Sequence, residues 1–170
     1  MIKLLLLFVI SCAQVKVAQT PEVIKAKPSD VFVTKSTQKW ILGAVDCANK
    51  VFHLDETKSL ILAATYEQTN DNSFEVLKKI EQTKLTQVKE IWPKNIWSRM
   101  TATTFKGDPA IYLNARKPRS ISSVAGSIFH EALGHKNGYS HKGNYRKGNE
   151  KTVPYVLGDI GGKMAEKHCN

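Results

Sequence analysis

Residues 130–141 read HEALGHKNGYSH. Three of the chain's five histidines fall in this stretch, and a glutamate follows the first. Such side chains share one cation only where the backbone aims them at a common point, so this segment constrains the local fold more than any other. On a regular helix, side chains four apart lie about 40° apart around the axis and one turn along. His135 comes five residues after His130, which on the same helix places it about 140° away. Something local has to absorb one residue. A π-bulge does so, because i→i+5 hydrogen bonding lengthens one turn, and such bulges favour functional sites. Alternatively, Gly134 adopts a left-handed conformation, ends the helix and re-aims His135.

The chain around this stretch is one domain's worth of ordinary globular sequence, with 170 residues, 42% hydrophobic and 24% charged. Its start reads differently. A basic Met1-Ile2-Lys3 precedes the apolar run Leu4–Ile10, too short for a spanning helix of about 20 residues but suited to a secretory leader. Val9-Ile10-Ser11-Cys12 is similar to a bacterial lipobox, which implies cleavage before Cys12 and a lipid-modified cysteine; the other reading is a plain leader cut near Ala13 or Ala18. Residues 1–11 are therefore expected to be a lipoprotein signal peptide, 12–36 a polar tether, and 37–170 the folded domain. The expected location is outside the cytoplasm, in a bacterial periplasm or at the cell surface, lipid-anchored to the outer membrane.

With Cys12 set aside, Cys47 and Cys169 remain, a pair that an oxidising compartment can bridge; two separate buried thiols are the alternative. Losing Lys3, the one charge in the leader, turns a net charge of +10 into +9. That excess favours anionic surroundings. No nucleic-acid motif accompanies it, and no nucleic-acid partner is expected.

Hydrophobic spacing predicts a helix over 37–53 from Trp40, Ile41, Ala44, Ala48, Val51 and Phe52. Leu60–Ala64 fits a strand or a buried helix equally. With Ser73 as N-cap, a further helix carries Leu77, Ile80, Leu85, Val88, Ile91 and Trp92 and stops at Pro93. Residues 100–115 read as two strands around the turn Lys106-Gly107-Asp108-Pro109, the second spanning 110–114. From Ser120 a helix presents Ile121, Val124, Ala125, Ile128 and Ala132 and leads into the histidines. A Gly/Asn/Lys-rich loop covers 136–151. Thr152 and Pro154 open a last helix with Val156, Leu157, Ile160 and Met164. The fold class is α+β, a small sheet packed on the histidine-bearing helix and further helices.

From His135 onward the segment is H-x-x-G-x-x-H. Together with His130-Glu131 it resembles the metzincin zinc peptidases, whose consensus is HExxHxxGxxH, with one residue inserted. The resemblance covers twelve residues strongly and the preceding strand–helix order weakly. It implies a minimal zincin-like fold, Zn²⁺ held by His130, His135 and His141, Glu131 as general base, a sharp turn at Gly138, and strand 110–114 pairing with an extended substrate. The family's Met-turn has one downstream candidate, Met164, whose setting GGKMAEKH reads as helix. Zinc peptidases with an HExxxH spacing that resemble gluzincins take a later glutamate as third ligand, for which Asp159 and Glu166 are the candidates.

A hydrolytic zinc site needs three protein ligands and an open position. A fourth ligand from Asp159, His168 or Cys169 would make it structural. Tyr139, Tyr145 and Tyr155 lie near enough in sequence to donate to an oxyanion, Tyr155 being preferred as a transition-state stabiliser; packing is the ordinary role for each. Lys136, Lys142, Arg146, Lys147 and Lys151 read as a solvated basic face, and His53 as structural. The expectation is a zinc metalloendopeptidase acting on a peptide or protein substrate. The alternative is a non-catalytic envelope lipoprotein, with or without zinc.

Overall fold

The computed structural model describes residues 30–94, 101–143 and 146–169. The segment expected to be a leader, the lipidation candidate Cys12, Tyr145 and most of the expected tether lie outside the described residues. The elements in order are β1 (Phe32–Thr34), α1 (Lys39–Phe52), α2 (Asp55–Ala63), α3 (Ser73–Glu81), β2 (Thr86–Ile91), β3 (Ala102–Thr104), β4 (Ile111–Asn114), α4 (Ile121–Ile128) and α5 (Val153–Cys169). A π-helical turn (Phe129–Gly134) and a 3₁₀ turn (His135–Asn137) continue α4. The class is α+β, as the residue pattern predicts.

The sheet runs β1-β2-β4-β3, with β1, β2 and β4 parallel and β3 antiparallel to β4. Two expectations change here. The helix expected to continue to Trp92 ends at Glu81, and residues 86–91 are a strand. Thr86 and Val88 are buried while Gln87 and Lys89 are exposed, the period of two of a half-buried strand. The apolar residues at 85, 88, 91 and 92 satisfied helical spacing as well; pairing with β1 and β4 decides between them. The helix also starts one residue off the expected cap, since Asn72 and Glu75 form a reciprocal capping box.

The second change concerns the stretch expected to be tether. Its far end belongs to the core: Phe32 is fully buried, 6.0 Å from the Phe52 ring and 6.1 Å from that of Phe129. Buried Asn49 on α1 holds it there, accepting from the Val31 and Phe32 amides and donating to the Phe32 carbonyl. The run 60–64 resolves as the end of helix α2 followed by extended backbone, with Ile61 buried.

Helix α1 presents Ile41, Ala44, Val45, Ala48 and Val51 to the core, the stripe expected of an amphipathic helix. Cys47 on that helix is joined to Cys169 at the end of α5. Closing a loop of 122 residues restricts the unfolded chain by about 4–5 kcal/mol in the chain-entropy account. Helices α4 and α5 cross closely: a Cβ at Gly126 would stand 2.7 Å from the Gly158 carbonyl oxygen. That crossing sets the start of α5 beside the π-helical turn. Met164 lies inside α5, 2% exposed, so it packs in the core and forms no turn beneath the histidines.

Candidate metal centre

The extra residue between His130 and His135 is absorbed by the π-helical turn Phe129–Gly134. Gly134 does not take the left-handed route: its φ is −84° and ψ −78°. It is glycine for a different reason, because a Cβ there would lie 2.7 Å from Pro154 Cα. The left-handed residue is Gly138, at φ 87° and ψ 5°, which ends the 3₁₀ turn and sends the chain back toward His141.

The result is a cluster. The ring centroids of His130 and His135 are 5.0 Å apart, those of His135 and His141 4.9 Å, and those of His130 and His141 5.3 Å. One nitrogen from each ring lies within 4.8 Å of the other two, close enough for all three to hold one metal ion. Asp159 and Glu166, the candidates for a carboxylate as third ligand, line the same cleft but do not join this group. No fourth ligand comes from the other candidates either: Asp159 pairs with Arg146, His168 with Glu56, and Cys169 with Cys47.

Each ring is held by a backbone carbonyl. A carbonyl only accepts, so the ring nitrogen facing it carries the hydrogen and a neutral ring keeps its lone pair on the other nitrogen. His135 donates from Nδ1 to Tyr139 O at 2.9 Å, and His141 from Nδ1 to Gly143 O at 2.8 Å. The His130 ring donates to the Pro154 carbonyl. The Nε2 atoms of His130 and His141 then face each other at 3.3 Å. Two lone pairs at that distance repel unless a cation lies between them. The donor set fits a metal: outer hydrogen bonds fix the tautomers, and imidazoles suit zinc, copper, iron or nickel. Burial pushes His130 down to about 3 and lowers His135 as well, so protons compete weakly for the nitrogens of those two rings.

Three residues that carry no sequence signal complete the frame. Asn149, 4% exposed, donates to the Lys142 carbonyl and accepts from the Lys142 amide, pinning the chain between His141 and Gly143. Asp71 accepts from the Tyr139 hydroxyl at 2.7 Å. That fixes the residue whose carbonyl orients His135, and it commits Tyr139 away from any oxyanion role. Thr104, on β3, gives its hydroxyl to the Glu131 carboxylate.

Glu131 is 8% exposed and lines the same open cleft as the three histidines, a space of about 1170 Å³. Burial raises its pKa to about 7, against the smaller opposing effect of the Thr104 hydroxyl. Tyr155, in the first turn of α5, has its ring 4.7 Å from His130 and 4.9 Å from His141. His53 sits elsewhere, packed edge-on against Phe52. Of the basic run, Arg146 pairs with Asp159, Lys151 with Glu67, and Lys136 donates to the Asp108 carbonyl. Strand β4, expected to receive an extended substrate, is flanked by β2 and β3; among the described residues the open edge beside the cleft is β3.

These pKa shifts make a pH-dependent expectation for protein stripped of metal by a chelator. Folded His130 resists protonation until about pH 3, so its contribution to stability is lost as pH falls from about 6.5. Folded Glu131 keeps its proton up to about pH 7, so its contribution is lost as pH rises from about 4.5 through 7. Glu131→Gln removes only the second. Thermal melts of the stripped proteins should show the variant gaining on wild type between pH 5 and pH 8, by up to about 3 kcal/mol. A constant difference across that range would remove the buried-carboxylate assignment.

No family model matches the chain, and neither a curated protein nor a solved structure matches it.

Proposed function

We propose that this protein is a zinc-dependent peptidase of minimal, metzincin-like type, exported and held at the cell envelope by a lipid on Cys12. The observation that supports the reading is the convergence of three carbonyl-braced imidazoles with a buried carboxylate in one open cleft. The residues that would hold zinc are His130, His135 and His141. When bound, the ion supplies a Lewis acid that acidifies water and polarises a carbonyl oxygen.

The chain's own groups do the rest. Glu131 removes a proton from the attacking water as its oxygen adds to the scissile carbonyl carbon. The C–N bond then breaks, and Glu131 passes that proton to the leaving amine nitrogen; the second water proton stays on the new carboxyl group and moves to the amine at neutral pH, giving a carboxylate and an ammonium. Burial has already raised the proton affinity of Glu131 toward neutrality, where a group both takes and returns a proton readily. The Tyr155 phenol, beside two of the ligands, donates to the oxygen that gains negative charge. Strand β3 offers its open edge to an extended peptide, and the Thr104 hydroxyl on that strand orients the Glu131 carboxylate.

Dialysis against a chelator should abolish cleavage of a denatured protein mixture, and about one equivalent of Zn²⁺ should restore it. Cleavage that survives with no bound metal would remove the proposal.

The envelope placement is supported by the lipobox-like residues before Cys12 and by the Cys47–Cys169 bridge, a bond that persists in oxidising compartments. Cells grown with labelled palmitate should mark the wild-type protein and not Cys12→Ser. Equal labelling of the two would locate the lipid elsewhere or nowhere.

A further inference from the structure

The cleft extends beyond the histidines between two walls, strand β3 on one side and helices α4 and α5 on the other. Both helices are described along their whole length, and their contribution to the lining is unusual. It consists of the hydroxyls of Ser122, Ser123 and Ser127, the backbone at Gly126, Gly158 and Gly162, the Tyr155 ring, and charges at the rim. Neither helix sends a leucine, isoleucine, valine, methionine or phenylalanine into it.

The glycines are there because the helices cross so closely. Besides the 2.7 Å approach at Gly126, a Cβ at Gly158 would stand 3.2 Å from His130 Cβ. This crossing lowers the floor of the cleft to main-chain level directly beside a metal-ligand candidate. A large apolar side chain lying there would meet hydroxyls and peptide groups. Against the serines and peptide groups of the two helices it would gain less than the roughly 1.5–3 kcal/mol that burial among apolar atoms supplies, and it would strip water from the exposed Ser123 hydroxyl without replacing its hydrogen bonds. A chain of small residues can lie close to the floor and hydrogen-bond its amides to the same hydroxyls. The rim carries both signs, Lys163, Glu166 and the ion pair of Arg146 with Asp159, so a net substrate charge is not selected.

We infer that the α4–α5 groove is the substrate subsite beside the histidines, and that it selects peptides with glycine, alanine or serine next to the scissile bond over those with bulky apolar residues. The inference deepens the peptidase reading and rests on it.

Gly162 permits a direct test. A Cβ there would make only ordinary contacts, 3.6 Å to Ser122 O and 4.0 Å to Gly126 Cα, so the backbone at 162 tolerates a side chain, and Gly162→Leu, checked for an unchanged melting temperature, narrows the groove. Zinc-loaded full-length protein is titrated calorimetrically with glycyl-serine hydroxamate and with leucyl-phenylalanine hydroxamate. The same protein is then incubated with a peptide mixture whose products are read by mass spectrometry. The small probe should bind tighter by a factor of about ten or more, and Gly162→Leu, at unchanged metal content, should erase that advantage. Equal or tighter binding of the bulky probe overturns the inference, as does an unaltered preference in Gly162→Leu. The two readings separate cleanly. Preference for the small probe with no peptide cut keeps the groove and removes the hydrolase; cleavage beside leucine or phenylalanine keeps the hydrolase and removes the groove.

Discussion

Glu131→Gln should retain a full complement of zinc while losing peptide hydrolysis by about 10²–10⁴-fold, the usual contribution of a positioned general base. The amide matches the carboxylate in size and can still accept from the Thr104 hydroxyl, so the cleft keeps its shape. It cannot take a proton from water. The three metal-ligand candidates are other residues, so metal content measured by elemental analysis stays constant while turnover falls. A variant that cleaves at the wild-type rate would leave Glu131 without a catalytic role. A variant that loses its metal would make the carboxylate part of the ion's binding site.

His135→Ala carries the second large effect. Its ring reaches the other two only through the π-helical turn, and it is held there by the Tyr139 carbonyl. Removing it leaves two imidazoles, too few for a three-ligand site. The loss of affinity should exceed the about 10–100-fold that follows from disturbing outer hydrogen bonds alone. Elemental analysis after dialysis should find wild type loaded and His135→Ala empty, and the rise in melting temperature that zinc gives wild type should vanish. His53→Ala, remote from the cluster, serves as the control and should keep its metal. Full metal retention in His135→Ala would mean that the ring at the irregular position is no ligand.

The candidate ligand set was readable before any fold because it depends on residue chemistry. Few side chains bind a metal through nitrogen, and three of them beside a glutamate and a suitably placed glycine restrict the possibilities. The helical stripes of α1, α4 and α5 were readable for a similar reason, since apolar spacing reports which face is buried. Where one pattern served two structures, reading failed. Leu85, Val88, Ile91 and Trp92 fit a helix, while Thr86 and Val88 fit a strand; the hydrogen bonds of β1 and β4 supply the deciding energy from 54 and 23 residues away in register (Phe32 with Thr86, Val88 with Ile111). Phe32 looked like part of a tether because its partners, Asn49, Phe52 and Phe129, are distant in sequence.

Asn149, Asp71 and Thr104 stayed hidden for the same physical reason. A polar residue in a loop has no pattern, and its importance comes from the backbone or side-chain group it meets. The extra residue before His135 shows the division most clearly. Local sequence required some distortion and admitted two, a π-turn or a left-handed glycine. The choice came from packing: Pro154, at the start of α5, approaches Gly134 too closely for a side chain, and its carbonyl holds the His130 ring. Local chemistry named the donors and the need for a kink. The long-range contact between α5 and the end of α4 accompanies the π-turn, because what packs against the backbone there is supplied from far along the chain.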